Sequence, residues 1–138
     1  MMKTILTDDV RTQLIRLAID ARQRAYAPYS NYRVGAALLT SSGKFFTGCN
    51  VENAAYPTSL CAERVAVFKA VSEGEREFVA IAVVTGNAGT PCGSCRQVLA
   101  EFGLETRLLI ADAEGNLKLE ASLSELLPGA FGPGDLGK

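Results

Sequence analysis

The sequence predicts an α/β protein, a single-domain α/β/α sandwich in which a mixed, about five-stranded sheet is flanked by helices. Apolar residues at helical spacing alternate along the chain with short β-branched runs, which is the pattern expected of such a fold. No repeat or linker interrupts the 138 residues, a length that suits one domain. We therefore expect one domain over residues 1–138, of which 128–138 form a Gly/Pro-rich tail.

An amphipathic helix is predicted near the start of the chain. From Val10 onward, apolar residues recur at spacings of three and four. Thr7 suits the start of this helix, and Pro28 ends it. A β-hairpin follows, with strands over residues 33–40 and 45–49 joined by a Ser-Ser-Gly-Lys turn.

The middle of the chain is predicted to hold two helices and a buried strand. Residues 61–72 are apolar on nearly every side of a helix, so we expect this helix to be buried, in part at a subunit interface. The β-branched run over 78–85 is typical of a strand covered on both faces. After a Gly-rich loop, residues 92–102 predict a third helix.

Two strands and a short helix are predicted for the last third of the chain. The strands cover residues 107–111 and 117–119, on either side of an Ala-Glu-Gly-Asn turn. Residues 122–127 can form a last short helix before Pro128, and the tail beyond is expected to be irregular.

Composition excludes several classes of function. With 14 basic and 15 acidic residues the formal net charge is −1, so the chain lacks the basic surface that nucleic-acid backbones require. No apolar run reaches the roughly 18 residues of a membrane span. The N-terminal MMKTILTDDV has no stretch long enough for a signal peptide. We expect a cytoplasmic protein that acts on a small molecule.

Histidine is absent, so any metal chemistry must use cysteine and carboxylate ligands. The four cysteines favour metal ligation or redox chemistry over disulfides in a chain without export signals: Cys49, Cys61, Cys92 and Cys95. Cys61 and the CxxC pair each lie where a helix is predicted to begin, and backbone N–H groups there stabilise thiolates. If these two helix starts meet, three thiolates leave the fourth tetrahedral position of a zinc ion open for water, as catalysis requires.

Charged residues beside the cysteines fit such a site. Glu63 supplies a carboxylate that can take the proton from an activated water. Three thiolates on one zinc ion leave a net negative charge, which a nearby cation would balance. Arg64 is the first candidate to donate a hydrogen bond to sulfur, and Arg96 is the second.

The residues alone leave other interpretations open. A closed structural zinc site would use Cys49 as its fourth ligand, and the CxxC could be a redox pair. In both cases Glu63 would be a solvated surface charge. Tyr32 and Phe131 could equally be packing residues. A non-enzymatic module would bind zinc or a nucleoside without turnover.

Cys61-Ala62-Glu63 followed by Pro91-Cys92-Gly93-Ser94-Cys95 resembles the zinc nucleoside deaminases, and the three-cysteine set resembles the small homotetrameric cytidine deaminases. The likeness extends over most of the chain, in residues 27–30, 32–38, 48–56, 92–97 and 126–131. It implies hydrolytic deamination of cytidine and deoxycytidine in pyrimidine salvage. One Zn²⁺ per subunit would be held by Cys61, Cys92 and Cys95. A zinc-bound hydroxide would attack C4 of the base, with Glu63 as the proton shuttle.

The resemblance also implies how the nucleoside is bound. Asn50 and Glu52 match the pair that holds the ribose hydroxyls, and the Ala62 backbone N–H would bind the base. Tyr32 stands where the family usually has a phenylalanine at the pyrimidine pocket. Phe131 matches an aromatic that completes the pocket of a neighbouring subunit in a homotetramer.

Three expectations accompany this assignment. The spacing of Asn50 and Glu52 puts both side chains on one face of an extended segment, with Val51 pointing into the core. Cys49 becomes a small buried hydrophobe. Gln97 has no assigned role.

Two other classes of deaminase share part of this sequence pattern. A deaminase acting on tRNA or another base has the P-C-x-x-C element, but such proteins usually present histidine where Cys61 stands. A deaminase of a cytosine-type nucleoside antibiotic would keep the same metal ligands and differ only in its pocket.

Overall fold

The computed structural model describes residues 4–138, so the first three residues of the expected domain and N-terminal segment lie outside the described residues. The helices are α1 (Asp8–Arg22), α2 (Ala62–Ser72), α3 (Gly93–Ala100) and α4 (Leu123–Leu126). The strands are β1 (Gly35–Thr40), β2 (Phe45–Cys49), β3 (Phe78–Thr85), β4 (Arg107–Asp112) and β5 (Leu117–Ser122). Short 3₁₀ helices cover Tyr56–Thr58 and Pro133–Leu136.

The strands form one mixed sheet in the order β2-β1-β3-β4-β5. β3 and β4 are parallel, and the connection between them contains α3. The other neighbouring pairs are antiparallel, including the predicted hairpin of β1 and β2. The predicted mixed five-stranded sheet is confirmed.

Helices cover both faces of this sheet, because side chains along each strand alternate between the faces. α1 packs on one face, where Leu14 and Ala18 meet alternate residues of β1 and β3 such as Ala37 and Ala82. α2, α3 and α4 pack on the opposite face, whose strand residues include Leu38, Ile81, Leu108 and Ile110. Burial on both faces explains why β3 is apolar along nearly its whole length.

Local signals account for the helix boundaries. The Thr7 side chain accepts a hydrogen bond from the Val10 backbone N–H at 3.2 Å, as a residue at a helix start does. At α4, Ser122 and Glu125 form a reciprocal capping box. The predicted helix over 122–127 is therefore shorter, because Ser122 is a cap.

One end of the sheet brings separate parts of the chain together. Gly35, at the start of β1, pairs with Cys49 at the end of β2 and with Val84 near the end of β3. The segments leaving β2 and β3 lead to the starts of α2 and α3, which pack against each other on one face of the sheet.

Four predictions need correction. α2 is not buried all round in a single chain, since Phe68 is 45% exposed, because only one side of α2 faces the sheet. β5 extends to Ser122, beyond the predicted end, because Glu120, Ala121 and Ser122 continue the antiparallel pairing with β4. α3 ends at Ala100, before the predicted 102, and the C-terminal tail contains a regular 3₁₀ turn.

Across the described part of the chain, residues 4–138, none of the helices combines the length and apolar character that crossing a bilayer would need.

Candidate active site

Three cysteines meet where α2 and α3 begin. Their sulfur atoms all lie within 4.8 Å of one another. Cys61 and Cys92 immediately precede the two helices in extended conformation, and their Sγ atoms are 3.9 Å apart. Cys95 is buried in the first turn of α3, with its Sγ 3.5 Å from that of Cys92. The structure thus assembles the predicted three-thiol group from two helix starts.

Cys49 lies outside this cluster. It is half-buried at the end of β2, and its thiol donates to the Arg24 carbonyl oxygen at 3.5 Å. The alternative of a closed four-cysteine zinc site is therefore wrong.

Protonation of the cluster fits a site for a divalent cation. A hydrogen bond from Cys95, followed by one from Arg64, lowers the pKa of Cys61 to about 5. The same bond to Cys61, together with burial, raises the pKa of Cys95. A bound cation takes such sulfurs as thiolates, and tetrahedral thiolate sets are typical of zinc.

Two arginines next to the cysteines have different partners. Arg64 Nη2 donates to Cys61 Sγ at 3.5 Å, while its Nε is buried and has no hydrogen-bond partner within residues 4–138. Arg96 does not reach sulfur. It donates to the carbonyl oxygens of Pro91 at 2.8 Å and Leu126 at 2.7 Å, and so holds the chain that leads into Cys92.

Glu63 lies in the first turn of α2, two residues after Cys61, and is only 4% exposed. Burial raises the pKa of its carboxyl, and the nearby Cys61 thiolate raises it further. A carboxyl in this setting binds a proton more readily than one in water. Glu63 can therefore accept and release protons beside the three thiols.

A cleft of about 540 Å³ opens onto these groups. Its lining contains Cys61, Cys92 and Glu63 together with three of the predicted substrate residues: Tyr32, Asn50 and Glu52. Ala62 is fully buried, but its backbone N–H belongs to the first turn of α2, where N–H groups have no intrahelical partner.

Phe131 does not join the cleft of its own chain. It is 57% exposed and lines a second hollow of about 370 Å³ between the end of α3 and the C-terminal tail. The Gln97 side chain donates to the Phe131 carbonyl oxygen at 2.8 Å. This bond is the structural role of Gln97, a residue to which sequence reasoning assigned none.

Asn50 is almost fully buried and is held on both ends of its amide. Its Oδ1 accepts from the Val34 backbone N–H at 2.9 Å, and its Nδ2 donates to the Tyr32 carbonyl oxygen at 2.8 Å. One amide hydrogen and one oxygen lone pair remain available to a ligand.

Glu52 is fixed by the loop before β1. Its carboxylate accepts from the backbone N–H groups of Tyr29 at 2.9 Å and Ser30 at 3.1 Å, and from the Ser30 hydroxyl. The Ser30 hydroxyl, followed by these N–H groups, lowers the pKa of Glu52, which stays ionised. Val51, between Asn50 and Glu52, is 43% exposed, so the expectation that it points into the core is wrong. Its backbone bridges Tyr26 and Leu60 in irregular segments outside the sheet, away from the layered core.

Sequence reasoning missed several residues of the cleft, including Ser30, Thr85 and Gly89. They carry no metal-ligating or titrating group and stand in no periodic pattern. Only the fold brings them to the cleft.

The family model of the cytidine and deoxycytidylate deaminase zinc-binding region matches residues 9–111. This match spans most of the chain and includes the three clustered cysteines and Glu63. The chain belongs to this deaminase family. Membership confirms the prediction of a zinc-dependent deaminase, and it excludes the redox-pair and non-enzymatic alternatives.

Individual cytidine deaminases are similar over nearly their whole length. The one from Halalkalibacterium halodurans is 50% identical over 129 residues, which cover 91% of this chain and 97% of that protein. The one from Sporosarcina psychrophila is 48% identical over 127 residues, covering 90% and 93%. The crystal structure of cytidine deaminase from Burkholderia pseudomallei superposes with a TM-score of 0.83 at 47% identity, covering 91% of this chain and 100% of that chain. The predicted fold is confirmed by this likeness.

Proposed function

We propose that this deaminase hydrolyses the exocyclic amine of cytidine and deoxycytidine, releasing ammonia and leaving the uridine product. The observation that carries the proposal is the composition of one cleft. Cys61 and Cys92 of the three-thiol cluster and the buried Glu63 carboxylate line it. The Asn50 and Glu52 side chains line it as well and offer hydrogen-bonding groups to a sugar. A neutral nucleoside also suits a chain of net charge −1.

Cys61, Cys92 and Cys95 would hold one zinc ion per chain. Bound zinc acts as a Lewis acid that makes water a nucleophile near neutral pH. Arg64, 3.5 Å from Cys61 Sγ, partly offsets the negative charge of the three thiolates. Neutralising a ligand in this way preserves the electron-withdrawing power of the metal.

Glu63 moves the protons of the reaction. Its carboxylate takes a proton from the attacking water, delivers it to N3 of the pyrimidine and then assists the departing amine. The position of Glu63 at the start of α2, beside Cys61 and open to the cleft, supports this role. One carboxylate can serve every transfer because it alternates between the two protonation states.

The remaining proposed contacts orient the nucleoside. Asn50 and Glu52 bind the ribose hydroxyls, and their positions are held by backbone hydrogen bonds before any ligand arrives. Such preorganisation lowers the entropic cost of binding. The Ala62 N–H binds the base, and the Tyr32 ring forms one wall of the cleft.

We further propose that residues 1–138 act as one domain and assemble as a cytoplasmic homotetramer serving pyrimidine salvage. Two exposed aromatic side chains support assembly: Phe68 on α2, and Phe131, which is outside its own cleft and free to complete a neighbour's. Gel filtration with light scattering should give a mass of about four 14.6 kDa chains. A monomer mass would contradict this part of the proposal.

Ultraviolet absorbance of cytidine mixed with the purified protein tests the proposed activity. The cytidine spectrum should disappear with wild type and persist with Glu63→Gln, which removes the proton acceptor while keeping size. Glu77→Gln, on an exposed residue, is the matched control and should remain active. Zinc is quantified in all three proteins. No turnover by zinc-loaded wild type would contradict the proposed substrate and direct the search to other cytosine nucleosides.

A further inference from the structure

The Tyr32 side chain joins two loops that border the active-site cleft. Its hydroxyl donates to Asn87 Oδ1 at 2.8 Å. Tyr32 lies in the loop before β1, and Asn87 lies in the loop that follows β3. Because the two positions are 55 residues apart in sequence, this bond is a tertiary link across the cleft.

The Thr85 hydroxyl, at the end of β3, forms two hydrogen bonds with the loop that receives this bond. The Thr85 hydroxyl donates to Asn87 Oδ1 at 3.2 Å and accepts from the Gly89 backbone N–H at 2.7 Å. Thr85 is only 2% exposed, so its position is set by the end of β3. Tyr32 therefore bonds to a loop in which Asn87 and Gly89 are both held by the buried Thr85 side chain.

Gly89 leaves the space that the Tyr32 hydroxyl occupies. A Cβ atom at residue 89 would overlap this hydroxyl and would lie 3.5 Å from Asn87 Oδ1. Tyr32 and Gly89 both line the cleft, so their mutual fit determines the shape of its wall.

The same tyrosine is linked to the proposed sugar-binding residues. Its carbonyl oxygen accepts from Asn50 Nδ2, and its backbone N–H donates to the Ser30 hydroxyl at 3.0 Å, which in turn donates to Glu52. The Tyr32 phenol thus connects the Asn50 side of the cleft to the loop over residues 86–89.

Cys92 is held independently of this link. Arg96 donates to the Pro91 carbonyl oxygen at 2.8 Å and to Thr90 Oγ1 at 3.2 Å. Loosening residues 86–89 therefore leaves the approach to the metal ligand in place.

We propose that the Tyr32 hydroxyl is a positioning group that clamps the loop over residues 86–89 and thereby sets the affinity of the cleft for nucleoside. This inference rests on the proposed deamination of cytidine. Phenylalanine at this position keeps the ring and loses the clamp. The loop then has to be ordered by the arriving substrate, which raises KM, whereas the bound complex reacts as before.

The first test is Tyr32→Phe, with Tyr26→Phe as the control because Tyr26 is exposed and outside the cleft lining. A lost hydrogen bond should raise KM for cytidine roughly two- to tenfold, with kcat and zinc content unchanged. Hydrogen exchange at the amides of residues 86–89 should accelerate in Tyr32→Phe alone. Unchanged KM and exchange, or a fall in kcat at constant KM, would overturn the proposal.

The second test uses the fit between Tyr32 and Gly89. Gly89→Ala should raise KM and accelerate loop exchange, because the new methyl group displaces the phenol. In the double variant Tyr32→Phe/Gly89→Ala the overlap is relieved, so KM should be lower than in Gly89→Ala. If the rise in KM of the double variant equals the product of the rises in the two single variants, the proposed clamp is contradicted. If wild type does not deaminate cytidine, the proposed substrate fails, and loop exchange across the same variants still decides the clamp.

Discussion

Replacing Gly48 by alanine should displace the start of α2 and with it two groups of the active site. Gly48 lies in β2 beneath the first turn of this helix. An added Cβ would lie 2.5 Å from the Ala62 carbonyl oxygen and 2.7 Å from the Ala66 backbone nitrogen. Both neighbours are backbone atoms, so no side-chain rotation can relieve the contact.

The size of the effect follows from these distances. Because real Cβ atoms do not approach closer than about 3 Å, α2 and β2 must separate by roughly half an ångström. Overpacking of this kind costs about 1–3 kcal/mol of unfolding free energy, or roughly 4–12 °C in melting temperature for a chain of this size. Cys61 and Glu63 move with the helix, and a shift of this size at reacting groups should lower kcat about tenfold.

Thermal unfolding and steady-state deamination of cytidine check both parts. Gly134→Ala is the control, since among residues 4–138 a Cβ there meets nothing within 4 Å, and it should behave as wild type. A Gly48→Ala protein with wild-type melting temperature and kcat would refute the argument that close backbone approach positions α2. A Gly48→Ala protein that is destabilised yet fully active would refute only the claim that displacement of α2 lowers kcat.

Three further perturbations test the metal centre and the packing of the edge strand. Arg64→Gln removes the donor to Cys61 Sγ and should weaken zinc binding about tenfold or more and lower activity; full zinc content with full activity would contradict the charge-balance argument. Removing zinc with a chelator should abolish turnover, and one equivalent of zinc should restore it; activity of the metal-free protein would refute the metal assignment. Hydrogen bonds from Arg11 at 2.8 Å and Arg107 at 3.2 Å hold the pKa of Glu120 below 4.5, so its carboxylate stabilises the fold above that pH. Glu120→Gln should therefore lose about 1 kcal/mol at pH 7, measured by urea unfolding, and this difference from wild type should shrink as pH falls below 4.5; a difference independent of pH would exclude the ion pair as its source.

Within the fold, the sequence was most informative where its pattern is periodic. The strands β2 and β3 have the predicted bounds, because β-branched and aromatic runs there are bracketed by turn residues. The length of β5 was underestimated, since Lys118 and Glu120 interrupt its apolar run although the pairing with β4 continues to Ser122. The exposure of Phe68 was also missed, because composition does not tell which side of a helix another layer covers.

At the candidate site, too, the sequence predicted some features correctly and others wrongly. Residue chemistry and spacing identify the three cysteines, Glu63 and Arg64 as candidates, because few residue types ligate zinc or carry protons. They stand in two short segments, 61–64 and 92–95, each at a predicted helix start. The spacing argument was wrong for Val51, which was predicted to point into the core and is exposed. Alternation of side chains tells which residues share a face, but it does not tell which face the protein covers.

What the sequence determines by itself is the set of reactive groups in this deaminase: three thiols, the Glu63 carboxylate and the two helix starts that present them. Only the tertiary structure shows that Cys49 is excluded from the cluster, that Arg96 holds backbone rather than sulfur, and that Tyr32 joins Asn87 across the cleft. The physical reason is the range of the interactions. Residue type and helix capping are read from residues a few positions apart. The meeting of the two helix starts and the wall of the cleft depend instead on segments brought together by the order of strands in the sheet.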